Sequence, residues 1–124
     1  MGCLVRYHPE RNLIFVQTEG DLDNSLLVTA ACEAFKLAAE HGCRRFLVDN
    51  TRSVVTEGTL GIFQFAVGLE ELGLRITDWV AVVVARDLDD HRFFETAARN
   101  SGWGRIHYFR TLEEATEWLG QKSA

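Results

Sequence analysis

The sequence predicts a single α/β domain, residues 1–124, built on a mostly parallel mixed sheet. Strand-like and helix-like segments follow one another in the order β-β-α-β-α-β-α-β-α, and such alternation implies right-handed crossovers between parallel strands. The run WVAVVVAR, which begins at Trp79, is apolar almost without interruption. A strand of that kind is typical of a sheet that helices cover on both faces.

The first two strands are expected to form a hairpin. CLVRYH and NLIFVQTEG are short runs of strand-forming residues, and HPERN, which contains the only proline, separates them. The tight connection makes the pair antiparallel. The hairpin therefore adds an antiparallel strand to a sheet that is otherwise parallel.

The pattern then changes to a helical period. Asp23 is placed to cap the helix NSLLVTAACEAFKLAAEHG, and Gly42 stands in the usual position for ending it. RFLVDN follows as a short strand, Phe46 to Val48, that ends on Asp49. A second helix is predicted from about Thr56 to about Leu72, with Gly73 closing it.

The C-terminal third contains two more predicted helices. DLDDHRFFETAARNSG gives a third helix, which Asp87 or Asp89 caps and Gly102 ends. RIHYFR is a last short strand, and TLEEATEWL is a last helix. That helix opens with a capping box, in which Thr111 is paired with Glu114.

Composition excludes several classes of function. The chain has 124 residues, a formal net charge of -5 and 47% hydrophobic residues, so it can bury a core without disulfides or metal. No basic stripe is visible, which argues against a nucleic-acid partner. The three cysteines show no spacing typical of zinc ligands. We therefore expect neither a metal nor a cofactor.

The sequence also predicts a cytoplasmic protein. The start MGCLVRYHPE has no apolar segment of the secretory type, and Arg6 stands where a myristoylation signal needs serine or threonine. No apolar run is long enough for a membrane span. Free cysteines fit a reducing compartment.

The C-terminal half resembles the SpoIIAA-like, STAS-type family. The segment FETAARNSGWGRIHYFRTLEEATEWL has the family's helix, Asn-x-Gly turn, short strand ending in Phe and capped helix ending in Trp-Leu. FLVDNT is similar to the family's third strand with its terminal aspartate, here Asp49. The resemblance implies the STAS-like fold and the role of a regulatory module; members act as anti-sigma-factor antagonists or transporter-linked domains, and some relatives bind small or lipidic ligands.

One departure concerns the phosphoswitch of that family. Phosphorylated antagonists carry an Asp-Ser-Ser-Gly-like signature where the second helix begins, whereas this chain has TEGTLG at residues 56–61. Thr56 or Thr59 would have to replace the serine, so the switch does not transfer residue by residue.

The turn after the third strand is the best candidate site in the sequence. Asp49 ends a parallel strand, Arg52 and Ser53 follow in the predicted loop, and Thr56 or Thr59 stands near a helix N-terminus, where anions are favoured. We expect a binding or phosphoswitch site here. The alternative is structural, with Thr56 capping its own helix and Asp49 holding the loop through backbone N–H groups.

The predicted second helix carries apolar residues around most of its circumference. One face packs on the sheet, and the remainder predicts a surface for a second copy of the chain or for a small apolar ligand. The candidates for that surface are Ile62, Phe63, Phe65 and Leu69. The alternative is an ordinary but wide core stripe.

No catalytic residue is assigned. We expect a non-enzymatic STAS-like module that is homodimeric and that engages a protein partner or a small apolar ligand. One alternative is a small enzyme that uses Asp49, Asp89, Asp90 and His91 at the carboxyl edge of the sheet. Another is a lipid carrier, which requires a tunnel beneath the second helix.

Overall fold

A computed structural model describes residues 2–56, 65, 68–85, 95, 96, 99 and 105–122, with only the backbone of Val55. Its elements in chain order are β1 (Gly2–His8), β2 (Leu13–Leu22), α1 (Asn24–His41), β3 (Arg45–Val55), α2 (Leu69–Leu72), β4 (Trp79–Val83), β5 (Ile106–Phe109) and α3 (Leu112–Gly120). The five strands form one sheet in the order β1-β2-β3-β4-β5.

The sheet is mixed, as predicted. β1 and β2 pair antiparallel, and every other neighbouring pair is parallel. Asn12 turns the hairpin with a φ of 50°, a left-handed conformation that asparagine tolerates better than most residues. Its side-chain oxygen accepts a 3.0 Å hydrogen bond from the Tyr7 hydroxyl, which ties the turn to β1.

Both predicted caps of α1 are confirmed. The Asp23 carboxylate accepts a 2.9 Å hydrogen bond from the Leu26 amide, and Gly42 ends the helix with a φ of 61°. The buried stripe of the helix consists of alanines, Ala30, Ala34 and Ala38. Since alanine carries a single methyl group, this stripe brings the helix to the sheet without large side chains between them.

The cap of α3 is also confirmed, with one difference in detail. The Thr111 hydroxyl oxygen accepts from the Glu114 amide at 3.2 Å, as in a capping box. That same hydroxyl lies 3.1 Å from Glu114 Oε1 and donates to it. The glutamate thus bonds to the side chain of the cap rather than to its backbone.

The sheet separates two layers of helix. Ile14, Val16 and Phe46 face α1. Residues one position along the strands face α3, where Leu47, Ala81 and Val83 pack with Ala115 and Leu119. The prediction that β4 is covered on both faces is therefore confirmed.

The predicted end of the third strand is wrong. β3 does not stop at Asp49 but runs to Val55, and β2 likewise runs to Leu22. β3 pairs with β4 only up to Asp49 and then continues against β2 alone, after a register shift between Gln17 and Glu19. The polar run after Asp49 has the composition of a loop, but pairing with β2 satisfies its backbone groups.

Only part of the second predicted helix lies within the described residues. Of its residues 57–64, 66 and 67 nothing is described, whereas Leu69–Leu72 is helical and Gly73 ends it, as predicted. A Cβ atom at Gly73 would lie 3.0 Å from Phe35 Cβ, so glycine permits the close approach of this turn to α1. Most of the third predicted helix, 87–102, also lies outside the described residues.

A buried ion pair fixes the connection from α2 to β4. Arg44 donates to Asp78 through Nε at 2.8 Å and through Nη2 at 2.5 Å, and the Asp78 side chain is fully buried. Arg44 Nη2 also donates to the Gly73 carbonyl at 2.9 Å, and the Arg75 amide donates to Asp78 at 2.8 Å. The pair therefore has further hydrogen bonds that help to offset its desolvation.

We expect Asp78→Ala to lower the free energy of unfolding by about 3 to 5 kcal/mol, because it leaves the Arg44 guanidinium and the Arg75 amide without their acceptor. Urea denaturation followed by circular dichroism measures the change. Asp21→Ala, at an exposed aspartate, is the control and should change stability by less than about 0.5 kcal/mol. Equal effects of the two substitutions would contradict the role of the ion pair.

Candidate functional site

Asp49 is buried in β3, and its carboxylate is hydrogen-bonded within the strand pair. Its side chain is 3% exposed, and one carboxylate oxygen accepts from the Thr51 amide at 2.9 Å and from the Thr51 hydroxyl at 2.7 Å. The other oxygen accepts from Gln17 Nε2 at 3.4 Å. These contacts match the structural alternative for Asp49, in which the carboxylate holds the following backbone.

The other predicted residues of this segment do not converge on one point. Arg52 is exposed and pairs in the ladder with Glu19, which is also exposed. Thr56 is exposed, and its amide donates to the Leu22 carbonyl at 3.2 Å. Thr59 lies outside the described residues, so phosphorylation at Thr56 or Thr59 stays a prediction.

Ser53 belongs to a polar cluster with two residues that sequence reasoning did not single out. Thr18 Oγ1 lies 2.6 Å from Asn50 Oδ1 and 2.9 Å from Ser53 Oγ. The Ser53 hydroxyl also lies 3.1 Å from the Asn50 carbonyl oxygen. Thr18 is 2% exposed, while Asn50 and Ser53 are half-buried. The cluster joins β2 to β3 at the register shift.

This cluster borders a cavity of about 150 Å³ between α1 and the sheet. Apart from Thr18, Asn50 and Tyr108, the side chains that line it in the described part of the chain are apolar. α1 contributes Leu27, Ala30, Ala31, Ala34 and Phe35, the segment around α2 contributes Phe65, Leu69 and Leu74, and the strands contribute Val16, Leu22, Phe46, Val48, Val80, Val82 and Ile106.

The strand register arranges the floor of the cavity in rows. Phe46, Val80 and Ile106 form one row, and Val16, Val48, Val82 and Tyr108 form the next toward the carboxyl ends of the strands. Thr18 and Asn50 lie one step farther in the same direction. The polar end of the cavity is thus at the carboxyl edge of the parallel strands, where ligands of open α/β sheets bind.

The described lining is electrically neutral. Burial raises the pKa of the Tyr108 phenol well above its usual range, and the negative charge of Glu95 raises it further. The phenol therefore stays protonated at physiological pH. Since no charged side chain lines the cavity among the described residues, an ionised group would find no counter-charge there.

Two of the four predicted interface residues can be placed. Phe65 is half-buried and packs against the cluster of Leu69, Leu74 and Ile106. Leu69 is 7% exposed within the single chain, so little of it is left for a second copy. Both residues line the cavity, and their assignment to an interface or an apolar ligand stays a prediction. Ile62 and Phe63 lie outside the described residues.

Of the residues of the enzyme alternative, only Asp49 lies within the described part of the chain. Asp89, Asp90 and His91 lie outside the described residues, and the Asp49 carboxylate is occupied by Thr51 and Gln17. No group of three metal-ligating side chains occurs in the part of the chain that the structure describes.

A carboxylate–imidazole pair lies at the β5 edge. His107 Nδ1 lies 2.6 Å from Glu95 Oε1, and the imidazole packs on Trp118 with 4.8 Å between ring centroids. Glu95 is 5% exposed, and sequence reasoning gave no role to it. The packing on Trp118 and the burial of the carboxylate indicate a structural contact between β5, α3 and the segment that carries Glu95.

The polar cluster and the cavity had only weak signals in the sequence. Phe46 and Val48 predict that Asn50 continues the same core-facing row, so a polar residue at that position was a hint of a polar contact. The alanines of α1 indicated a slim helix. Neither pattern predicts a cavity, because its volume depends on which side chains lie opposite the alanines.

The fold is that of SpoIIAA. The unphosphorylated anti-sigma factor antagonist SpoIIAA matches with a TM-score of 0.60 at 13% identity, over 98% of this chain and 100% of its own. The phosphorylated Bacillus cell fate determinant SpoIIAA matches with a TM-score of 0.51 at 16% identity, over 95% and 99% of the two chains.

A third similar structure is an uncharacterised protein of the DUF3478 family with a SpoIIAA-like fold, from Shewanella loihica PV-4. Its TM-score is 0.52 at 16% identity, over 95% of this chain and 94% of its own. No protein-family model and no curated protein matches the sequence. The chain thus has the SpoIIAA-like fold that its sequence predicted. Among the described residues no helix is long and apolar enough to cross a membrane.

We expect Asp49→Ala to lower the free energy of unfolding by about 2 to 3 kcal/mol, because it removes the acceptor of the buried Thr51 contacts. Asp49→Asn retains an oxygen that accepts from the Thr51 amide and should cost less than about 1 kcal/mol. Urea denaturation of both variants measures the difference. A stable Asp49→Asn variant with ligand binding abolished would instead indicate a functional carboxylate.

Proposed function

We propose that the protein is a non-enzymatic binding module whose cavity takes a compact apolar ligand. The observation that carries the proposal is the cavity of about 150 Å³ with its apolar, uncharged described lining. An apolar cavity of about this size binds benzene in an engineered protein, which sets the scale of the group that fits here. The lining supports binding rather than catalysis, because among the described residues it offers no carboxylate, imidazole or thiol.

The size of the cavity also separates this proposal from a lipid carrier. Pockets that bury drug-sized ligands have volumes of about 300 to 1,000 Å³, so a whole lipid exceeds the described cavity. A single ring or a short branched chain is the better match. The location beneath Phe65 and Leu69 agrees with the apolar-ligand prediction for the second helix.

A regulatory role is part of the proposal. One of the similar structures is an anti-sigma factor antagonist, so the fold is used in a protein that acts by binding. For this chain we propose that the occupied cavity stabilises one position of the α2 segment, since Phe65, Leu69 and Leu74 contact the cavity. A partner protein that contacts this segment would then sense the ligand. We place the protein in the cytoplasm.

We expect Ala34→Leu to abolish benzene binding, because Ala34 is 4% exposed and lines the cavity, so that the larger side chain occupies the ligand's space. Filling the cavity should also raise the free energy of unfolding by about 0.5 to 2 kcal/mol. Titration of ¹⁵N-labelled protein with benzene, followed by NMR, measures binding. Thermal unfolding of the same samples measures stability.

The control is Ala38→Leu, one turn further along α1. Ala38 is fully buried but does not line the cavity, so leucine there should overpack the core and cost about 1 to 3 kcal/mol. Benzene binding should persist in this variant. Wild-type protein without benzene-induced shifts in the residues around the cavity would contradict the proposed function.

We also expect the protein to be a homodimer through Ile62 and Phe63 of the predicted second helix. Sedimentation velocity at micromolar concentration should give twice the chain mass of 14.0 kDa. Phe63→Ser should weaken the association, because it removes apolar area from the predicted interface. A wild-type monomer under these conditions would make the dimer prediction wrong without affecting the cavity.

A further inference from the structure

Asn50 is the polar side chain at the carboxyl-edge end of the cavity that retains an unused donor. Its Oδ1 is 2.6 Å from the Thr18 hydroxyl, which donates to it. Among the described residues, no hydrogen bond involves Asn50 Nδ2. The Thr18 hydroxyl has a single proton, and its 2.6 Å contact with Asn50 Oδ1 is shorter than its 2.9 Å contact with Ser53 Oγ, while the Ser53 hydroxyl donates to the Asn50 backbone carbonyl at 3.1 Å. The amide nitrogen of Asn50 is thus the remaining donor of this cluster.

We propose that Asn50 Nδ2 donates a hydrogen bond to the ligand, and that the ligand carries an uncharged acceptor oxygen on a compact apolar body. A ketone, ester or ether of single-ring size has this chemistry. This inference rests on the proposed function and names the ligand class for the same cavity.

The lining favours an uncharged acceptor over a carboxylate. Transfer of an ionised group into an apolar site is strongly unfavourable unless a counter-charge is present, and the described lining contains no cation. A neutral oxygen is desolvated at much lower cost. One amide donor can compensate for that cost.

The position of Asn50 is fixed before a ligand arrives. It lies on β3 in the stretch paired with β2, beside the register shift, and Thr18, which holds its oxygen, is 2% exposed. A donor held in this way loses little side-chain entropy on binding. Because Asn50 lies at the carboxyl edge, the acceptor oxygen of the ligand lies at that end of the cavity. The apolar body of the ligand then lies over the rows of valine and phenylalanine side chains.

Two probes of nearly equal size test this inference. Acetophenone carries a carbonyl acceptor, whereas ethylbenzene has the same ring and chain length without one. We measure the affinity of each by NMR titration of wild-type protein and of Asn50→Leu. The ratio of the acetophenone affinity to the ethylbenzene affinity should fall about fivefold in Asn50→Leu, because one neutral hydrogen bond contributes about that factor. Ethylbenzene binding should persist in this variant. Comparing ratios removes the difference in hydration between the probes.

Two further variants make the test specific. Asn50→Asp keeps the oxygen that accepts from Thr18 and loses the donor, so acetophenone should again lose its advantage, even if Asn50→Leu fails to fold. Gln17→Leu removes a side-chain amide from the opposite face of the sheet, where Gln17 contacts Asp49, and should leave the ratio unchanged.

The outcomes separate this inference from the proposed function. Equal ratios in wild type and in the Asn50 variants, with both probes bound, would overturn the role of Asn50 and leave the apolar cavity in place. Failure of wild-type protein to bind either probe would overturn both. A lower ratio in the Asn50 variants and an unchanged one in Gln17→Leu would support the assignment.

Discussion

Small side chains on α1 determine how the helix meets the sheet. Ala30, Ala31 and Ala34 face the cavity, and the opposing strands present Val48 and Val82. Such pairs of small and medium side chains leave volume between the layers. When a core side chain of a protein is shortened, the loss of stability grows with the volume of the cavity that is left behind. A cavity of about 150 Å³ corresponds to a loss of about 3 to 4 kcal/mol on that scale. A cost of that size, in domains stable by only about 5 to 15 kcal/mol, is a reason to connect the cavity with function.

The polar end of that cavity lies where β3 stops pairing with β4 but continues to pair with β2. β3 leaves β4 after Asp49 but remains paired with β2 as far as Val55. The Asp49 carboxylate stabilises the backbone at this point through Thr51. Because β2 and β3 extend together, Thr18 and Asn50 contact each other at the edge of the cavity. One buried carboxylate on one face thus supports a polar contact on the other.

The likeness to SpoIIAA concerns the fold, whereas the cavity depends on the particular side chains of this chain. The SpoIIAA structures share 13% and 16% identity with this chain, and this establishes the arrangement of strands and helices. The segment TEGTLG, residues 56–61, contains no serine. The described side chains form an apolar, neutral cavity, whereas residues 57–61 lie outside the described part of the chain.

The sequence by itself determined the order of the elements, the hairpin, the caps at Asp23 and Thr111, the glycine ends at Gly42 and Gly73, and the buried position of β4. These features depend on neighbouring residues or on a single hydrophobic period, so local pattern is sufficient.

Only the tertiary structure decided where β3 ends and which polar residues meet. Asn50, Thr51, Arg52 and Ser53 have the composition of a loop, and it is pairing with β2, whose paired residues lie some thirty positions earlier in the chain, that makes them a strand. The same long-range pairing brings Thr18 to Asn50 and directs Asp49 into the core. The cavity is likewise a product of packing, since its volume depends on the side chains that face one another across α1 and the sheet, and no local pattern encodes that distance.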